Sequence, residues 1–244
     1  MDGSNPAILT QLAEVAEAAG ELERAERAYR TLLVQTREET APHPDAPAVL
    51  ALTEILLRLY GLARKRGHAA EADELLDSAL AAAIKDPEQA LRLQRGLLQA
   101  GAHDELARLF EKRLARAAGT PAEAEISAEM ADSLRAQGKA EAAYEAQLHA
   151  VECAPEIVHL HAPLVELARA CGRVQDMVER LLALIERRRR KADMGVAATL
   201  LLLAADVAER DSGDQVRALD LFHRAEEMQP RSFDVLSGIA RLAQ

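Results

Sequence analysis

Apolar residues recur along this chain at helical rather than strand spacing. In "EVAEAAGELERAERAYRTLL" (14–33), Ala25, Ala28, Tyr29 and Leu32 fall on one face of a helix, with charged residues filling the other. Hardly any stretch alternates with period two, and β-branched residues are sparse, so strands are not expected. Glycines punctuate the pattern. Gly20, Gly67, Gly101, Gly138, Gly172 and Gly213 each follow one apolar-periodic segment and precede another, at spacings of 47, 34, 37, 34 and 41. The base period is 34. The longer intervals carry insertions at 39–47, 119–121 and 187–195.

The register holds on both sides of the glycines. Eight residues before the first five stand Leu12, Leu59, Leu93, Met130 and Leu164, and four before them Ala16, Ala63, Leu97, Leu134 and Ala168. Five residues after each of the six come Ala25, Ala72, Leu106, Ala143, Met177 and Ala218. Nine after come Tyr29, Leu76, Phe110, Gln147, Leu181 and Phe222, and twelve after Leu32, Ala79, Arg113, Ala150, Leu184 and Ala225. Gln147 and Arg113 break an otherwise apolar pattern, and the sixth repeat fits only with a turn one residue longer. Each repeat therefore reads as a helix, a glycine turn and a second helix. Small residues at i and i+7 of the second helix allow close backbone approach, and a larger residue between them fills the gap. Proline then closes the repeat, as Pro155 and Pro230 do, because it cannot continue a helix but suits the start of the next. One such hairpin cannot bury its own apolar face, so hairpins must stack.

Thirteen helices are predicted: 6–19, 22–37, 48–66, 69–85, 87–100, 103–117, 121–137, 140–153, 159–171, 174–190, 194–211, 215–228 and 232–243. Pro163 belongs in a first turn, which places the ninth helix start near His159. The period, the helix pairs and the small–large–small–Pro ending resemble the tetratricopeptide repeat (TPR) family. The likeness runs from Pro6 to Gln244 as six repeats (6–38, 48–86, 87–120, 121–155, 156–192 and 193–230) plus a lone helix in 231–244. "DGSNP" (2–6) is similar to the junction often found between such repeats. The family's aromatic near the start of the first helix is replaced by Leu9, Leu56, Ala90, Ser127 and His161. The resemblance implies an all-α fold, a right-handed superhelical α-solenoid of stacked helix-turn-helix repeats forming a single array. HEAT-like repeats, with a period of roughly 40 or more, fit two of the spacings but not the 34s.

Composition narrows the function. Ala and Leu dominate, aromatics make up 2% of the 244 residues, and the formal net charge is −10. That balance disfavours a general nucleic-acid or anionic-membrane surface. The basic run 187–191 in "ERRRRKAD" offers an anionic-ligand alternative, although cations at a helix C-terminus also complement its dipole. The most apolar run, 196–208, contains Asp206 and is too short to span a bilayer. The N-terminus has no basic-then-apolar signal pattern. Two cysteines, Cys153 and Cys171, suit a reducing compartment, and a cytoplasmic location is expected. Placed at the far ends of antiparallel neighbouring helices, they are not expected to form a disulfide.

No metal or other cofactor is expected either. His149 and Cys153 at i,i+4 supply two ligands where a structural zinc site wants four, and His159 and His161 lie on different faces, the second a core residue. No phosphate loop, nucleophile elbow or His-Glu-x-x-His helix is present, so the chain is not expected to be an enzyme.

What remains is what the resemblance implies: a protein-interaction scaffold, of the kind found in a bacterial assembly protein, lining a concave groove with first-helix residues. Carried onto this sequence, those positions are Glu14 and Glu17, then Arg58, Arg64 and Lys65, then Arg92 and Arg95. Glu129, Asp132 and Arg135 follow, then His159, Glu166 and Arg169, and last Asp206, Glu209 and Arg210. A positive middle lies between mixed or acidic ends. The expected partner is a protein or peptide, in the sharper form an acidic peptide or helix laid across the second to fourth repeats. Arg24 and Arg30 are expected on a second helix outside the groove. The carboxylate-clamp and asparagine-ladder modes of TPR grooves need asparagines, and the only one here is Asn5. An alternative is a specificity or assembly subunit of an enzyme complex.

Overall fold

A computed structural model of the chain describes residues 5–38, 50–189 and 194–242. Among them are thirteen α-helices and no strand: α1 Pro6–Ala18, α2 Leu22–Glu38, α3 Leu52–Lys65, α4 Ala69–Lys85, α5 Pro87–Gln99, α6 His103–Ala117, α7 Ala122–Ala136, α8 Ala140–Cys153, α9 His161–Ala170, α10 Val174–Arg189, α11 Met194–Arg210, α12 Gln215–Met228 and α13 Phe233–Leu242. Six helix pairs and a final helix match the predicted order. The insertion 39–47 lies outside the described residues, as do residues 190 and 191 of the basic run and the start of the "DGSNP" junction.

The glycine turns make the pairs. Gly20 has φ +78°, a left-handed conformation that costs a residue without Cβ nothing. That geometry lets Glu21 N–H donate to the Ala16 carbonyl at 2.9 Å, closing the end of α1. The same six-to-one bond recurs at the other turns, for example from Lys139 N–H to the Leu134 carbonyl at 3.0 Å and from Arg173 N–H to the Ala168 carbonyl at 2.8 Å. Three residues separate the helices at five of the turns. The sixth, between Arg210 and Gln215, has four, and its closing bond reaches one residue further, from Asp214 N–H to the Ala208 carbonyl. The longer turn expected there is present. Starts are fixed by capping. The Asn5 side chain accepts from Ala7 N–H with Pro6 at the first helical position, and Asp86 accepts from Glu88 N–H ahead of Pro87.

The chain forms two compact units, Met1–Arg116 and Ala117–Gln244. In the first, Leu9, Ala13, Ala16, Ala25, Ala28, Tyr29, Leu32, Ile55, Leu59 and Leu62 form one core cluster. In the second, the alternation of small and large residues packs α8 through Ala143 and Ala150, and α12 through Ala218, Phe222 and Ala225, all buried. His161 is buried as expected, its Nε2 lying 2.9 Å from the Pro155 carbonyl.

Two helix starts differ from the sequence expectation. Leu50 and Ala51 are not helical, and α3 begins at Leu52 rather than near 48. Its first free amides are met there. The Glu54 carboxylate accepts from Ala51 N–H at 2.7 Å, and the Gln89 side chain accepts from Thr53 N–H at 3.1 Å. Before α9 the backbone takes one 3₁₀ turn, Val158–Leu160, and the α-helix starts at His161. Pro163 then occupies its third residue, where the missing amide costs no intrahelical bond.

Candidate functional site

Within the first unit, α3 and α5 run side by side and enclose a cleft of about 570 Å³. The two helices are tied near their N-termini by Thr53, whose buried hydroxyl donates to the Gln89 carbonyl at 3.2 Å and to its side-chain oxygen at 3.0 Å. From there α3 lines the cleft with Glu54, Leu57, Arg58, Gly61 and Lys65, residues three and four apart on one helical face. The facing stripe of α5 is Arg92, Arg95, Gly96 and Gln99. A Cβ at Gly96 would lie 2.5 Å from Leu57 Cδ2, so the missing side chain leaves the space that the tip of Leu57 occupies. Glu17 of α1 closes one wall.

Four cations line the cleft against two carboxylates, Glu17 and Glu54, in a chain of net charge −10. The carboxylates are already engaged. Glu17 lies 3.2 Å from Lys65 Nζ and 3.7 Å from the Arg58 guanidinium, and it also accepts from the Tyr29 hydroxyl. Burial and the neighbouring Glu17 charge together push the Tyr29 phenol well above its ordinary range, so it stays a donor. Arg92 contacts Glu88 at 2.6 Å and Glu54 at 3.5 Å, and these bonds, led by Glu88, raise its already high pKa. Arg95 differs. It is exposed, lines the cleft, and makes no ion pair or hydrogen bond among the described residues.

The predicted groove residues thus divide. Arg58, Lys65, Arg92 and Arg95 share this cleft. Arg64 is not part of the lining; it donates to the hydroxyl of Tyr60, a lining residue, at 3.1 Å and lies 3.6 Å from Glu105. In the second unit, Arg135 lies 2.9 Å from Asp132 and 3.7 Å from Glu166, and Arg169 is held by both oxygens of Asp211 at 2.7 and 2.9 Å. Asp206 and Glu209 face Arg241, and His159 lies 3.6 Å from Glu125. Of the basic run, Arg187 is 3.6 Å from Glu152. Arg30, on the second helix α2 and not in the cleft lining, bridges Glu26 on α2 and Glu71 on α4. The sequence reading missed Leu57, Gly61, Gly96 and Gln99. Gly96, inside a helix, was the available signal, since glycine there is about 1 kcal/mol worse than alanine and marks a close approach, here that of Leu57.

A group of metal-ligand donors lies elsewhere: Glu123, His149 and Cys153 bring three donor atoms within 4.8 Å of one another. No helix among the described residues is long and apolar enough to cross a membrane.

No protein-family model matches the chain, and no curated protein matches it. Among solved structures it is similar to MamA, at 16% identity over 78% of this chain and 95% of that one, with a TM-score of 0.36. It is similar to the TPR-like repeats of a kinesin light chain from Podosopora anserina at 18% identity, covering 95% and 100%, with a TM-score of 0.37. A tetratricopeptide repeat protein from Parabacteroides merdae is 16% identical over 100% of this chain and 86% of that one, with a TM-score of 0.31. The fold is TPR-like. The paired helices and their closing glycine turns, rather than these distant likenesses, are what establish it.

Proposed function

We propose that the chain is a non-catalytic interaction module, and that the α3–α5 cleft holds an acidic segment of a partner protein. The observation that carries this reading is Arg95, an exposed guanidinium in a cleft whose carboxylates are already committed to other cations. Arg58, Arg92 and Arg95 line one cleft, and clustered like charge of this kind disfavours the unliganded state. An anionic ligand relieves that repulsion. Guanidinium groups meet carboxylates through paired, charge-assisted hydrogen bonds. Leu50, Leu57, Ala100 and Ala102 add apolar wall for the aliphatic part of such a segment.

The test uses immobilised synthetic peptides, one rich in Asp and Glu and one of the same length rich in Lys. The wild-type chain is expected to bind the acidic peptide and to ignore the basic one. Reversing Arg92 and Arg95 to Glu should weaken capture by at least about 1–2 kcal/mol, consistent with loss of charge-assisted bonds. Reversing Arg24 and Arg37 on α2, outside the cleft lining, should leave it unchanged. Equal capture by the cleft variant and the wild type would reject the reading.

A further inference from the structure

In the second unit, residues from two helices and the turn between α6 and α7 converge on one surface point. Glu123 stands in the first turn of α7, while His149 and Cys153 lie one turn apart on the facing side of α8. His149 Nε2 is 3.1 Å from Glu123 Oε1 and 3.5 Å from Cys153 Sγ. We propose that these three side chains form a binding site for a divalent transition-metal ion of the zinc type.

The three donor atoms all lie within 4.8 Å of one another, so side-chain rotation alone can bring them onto one ion; with zinc bonds of about 2.0–2.3 Å, tetrahedral angles require donor separations of about 3.3–3.6 Å. The donor set is equally apt. A thiolate, a neutral imidazole and a carboxylate suit a borderline-soft cation, whereas magnesium and calcium prefer oxygen alone. Thiolate and carboxylate together balance the charge of a divalent ion.

The same atoms do not suit nucleophilic catalysis. A Cys–His–acid relay uses opposite imidazole nitrogens, one to take the thiol proton and the other to donate to the acid. Here the closest approaches of both Glu123 and Cys153 are to Nε2, with Nδ1 4.0 Å from the sulfur. Contacts gathered at one nitrogen do not make such a relay.

The carboxylate is also positioned from behind. Gly119 N–H donates to Glu123 Oε2 at 2.7 Å, leaving Oε1 for the centre. Gly119 reaches this geometry with φ +74°, in the left-handed region. His149 is half exposed, which leaves the fourth coordination position open to water.

The experiment is an anaerobic cobalt(II) titration of the reduced full-length chain, read by absorption. We expect a thiolate-to-cobalt charge-transfer band that saturates at one equivalent and is bleached by zinc. Cys153→Ser should abolish the band and Cys171→Ser should keep it. His149→Ala and Glu123→Gln should each weaken cobalt binding at least about tenfold, the lower bound set by losing even an outer-shell partner. These two variants carry the test if Cys153→Ser does not fold. No charge-transfer band in the wild type would overturn the proposal. So would a band that survives Cys153→Ser, or an affinity indifferent to both His149→Ala and Glu123→Gln.

Discussion

Gln147 occupies the position where five other second helices carry Tyr29, Leu76, Phe110, Leu181 or Phe222. It is buried, and its amide donates to the Leu160 carbonyl at 2.8 Å, in the 3₁₀ turn that precedes α9. A polar residue is needed because that turn leaves a carbonyl inside the core. Gln147→Leu would improve the repeat pattern yet orphan the acceptor, so it should cost about 1–3 kcal/mol in urea unfolding. His161 gives a pH signature. Burial is the main cause holding its pKa below the ordinary 6.5, so the unfolded state binds more protons as pH falls through and below that value. Its stabilisation is therefore present above about pH 6.5 and lost on acidification. Between pH 7.5 and 5.5, the melting temperature of His161→Phe should fall less than that of the wild type. Pro163 and His161 were legible in the sequence because their roles are local. Gln147 looked like a lapse because its partner is thirteen residues away.

Helices were legible for a related reason. The turn glycines and the apolar period mark element existence directly, and the extra residue before Gly213 was visible as a register slip. Starts set by distant side chains were not. That of α3 depends on Gln89, which is 36 residues along the chain. Helix-interior glycines separate two kinds of close approach. At Gly238 a Cβ would lie 2.4–2.8 Å from the ring of Phe222, which is fully buried and has nowhere to turn. Gly238→Ala should push α13 away from α12 and cost about 1–3 kcal/mol by overpacking. At Gly96 the obstacle is only the tip of the half-buried Leu57, with the next atom at 3.9 Å. Rotating that side chain relieves the contact, and alanine gains about 1 kcal/mol of helix propensity. Gly96→Ala should match or exceed wild-type stability while narrowing the cleft. Comparing thermal melts of the two variants checks both assignments.

Across the whole chain, acidic residues outnumber basic ones, yet one cleft collects more cations than carboxylates. The positive middle was what the TPR resemblance implied once carried onto this register, through Arg58, Lys65, Arg92 and Arg95. The partners of Arg58 and Arg169 were not legible, because they lie far along the chain: Glu17 for Arg58 and Asp211 for Arg169. These pairs are exposed or half-buried, so each contributes at most about 1 kcal/mol, and an incoming carboxylate competes with them on equal terms. Arg95 needs no such exchange. The most direct test is fluorescence anisotropy of a labelled Asp/Glu-rich peptide with the wild type and with Arg95→Glu, at low and high salt. Saturable binding by the wild type is predicted, weakened about tenfold or more by Arg95→Glu and weakened again by salt. Binding that is equally tight in both proteins, or no binding by the wild type at low salt, would contradict the account.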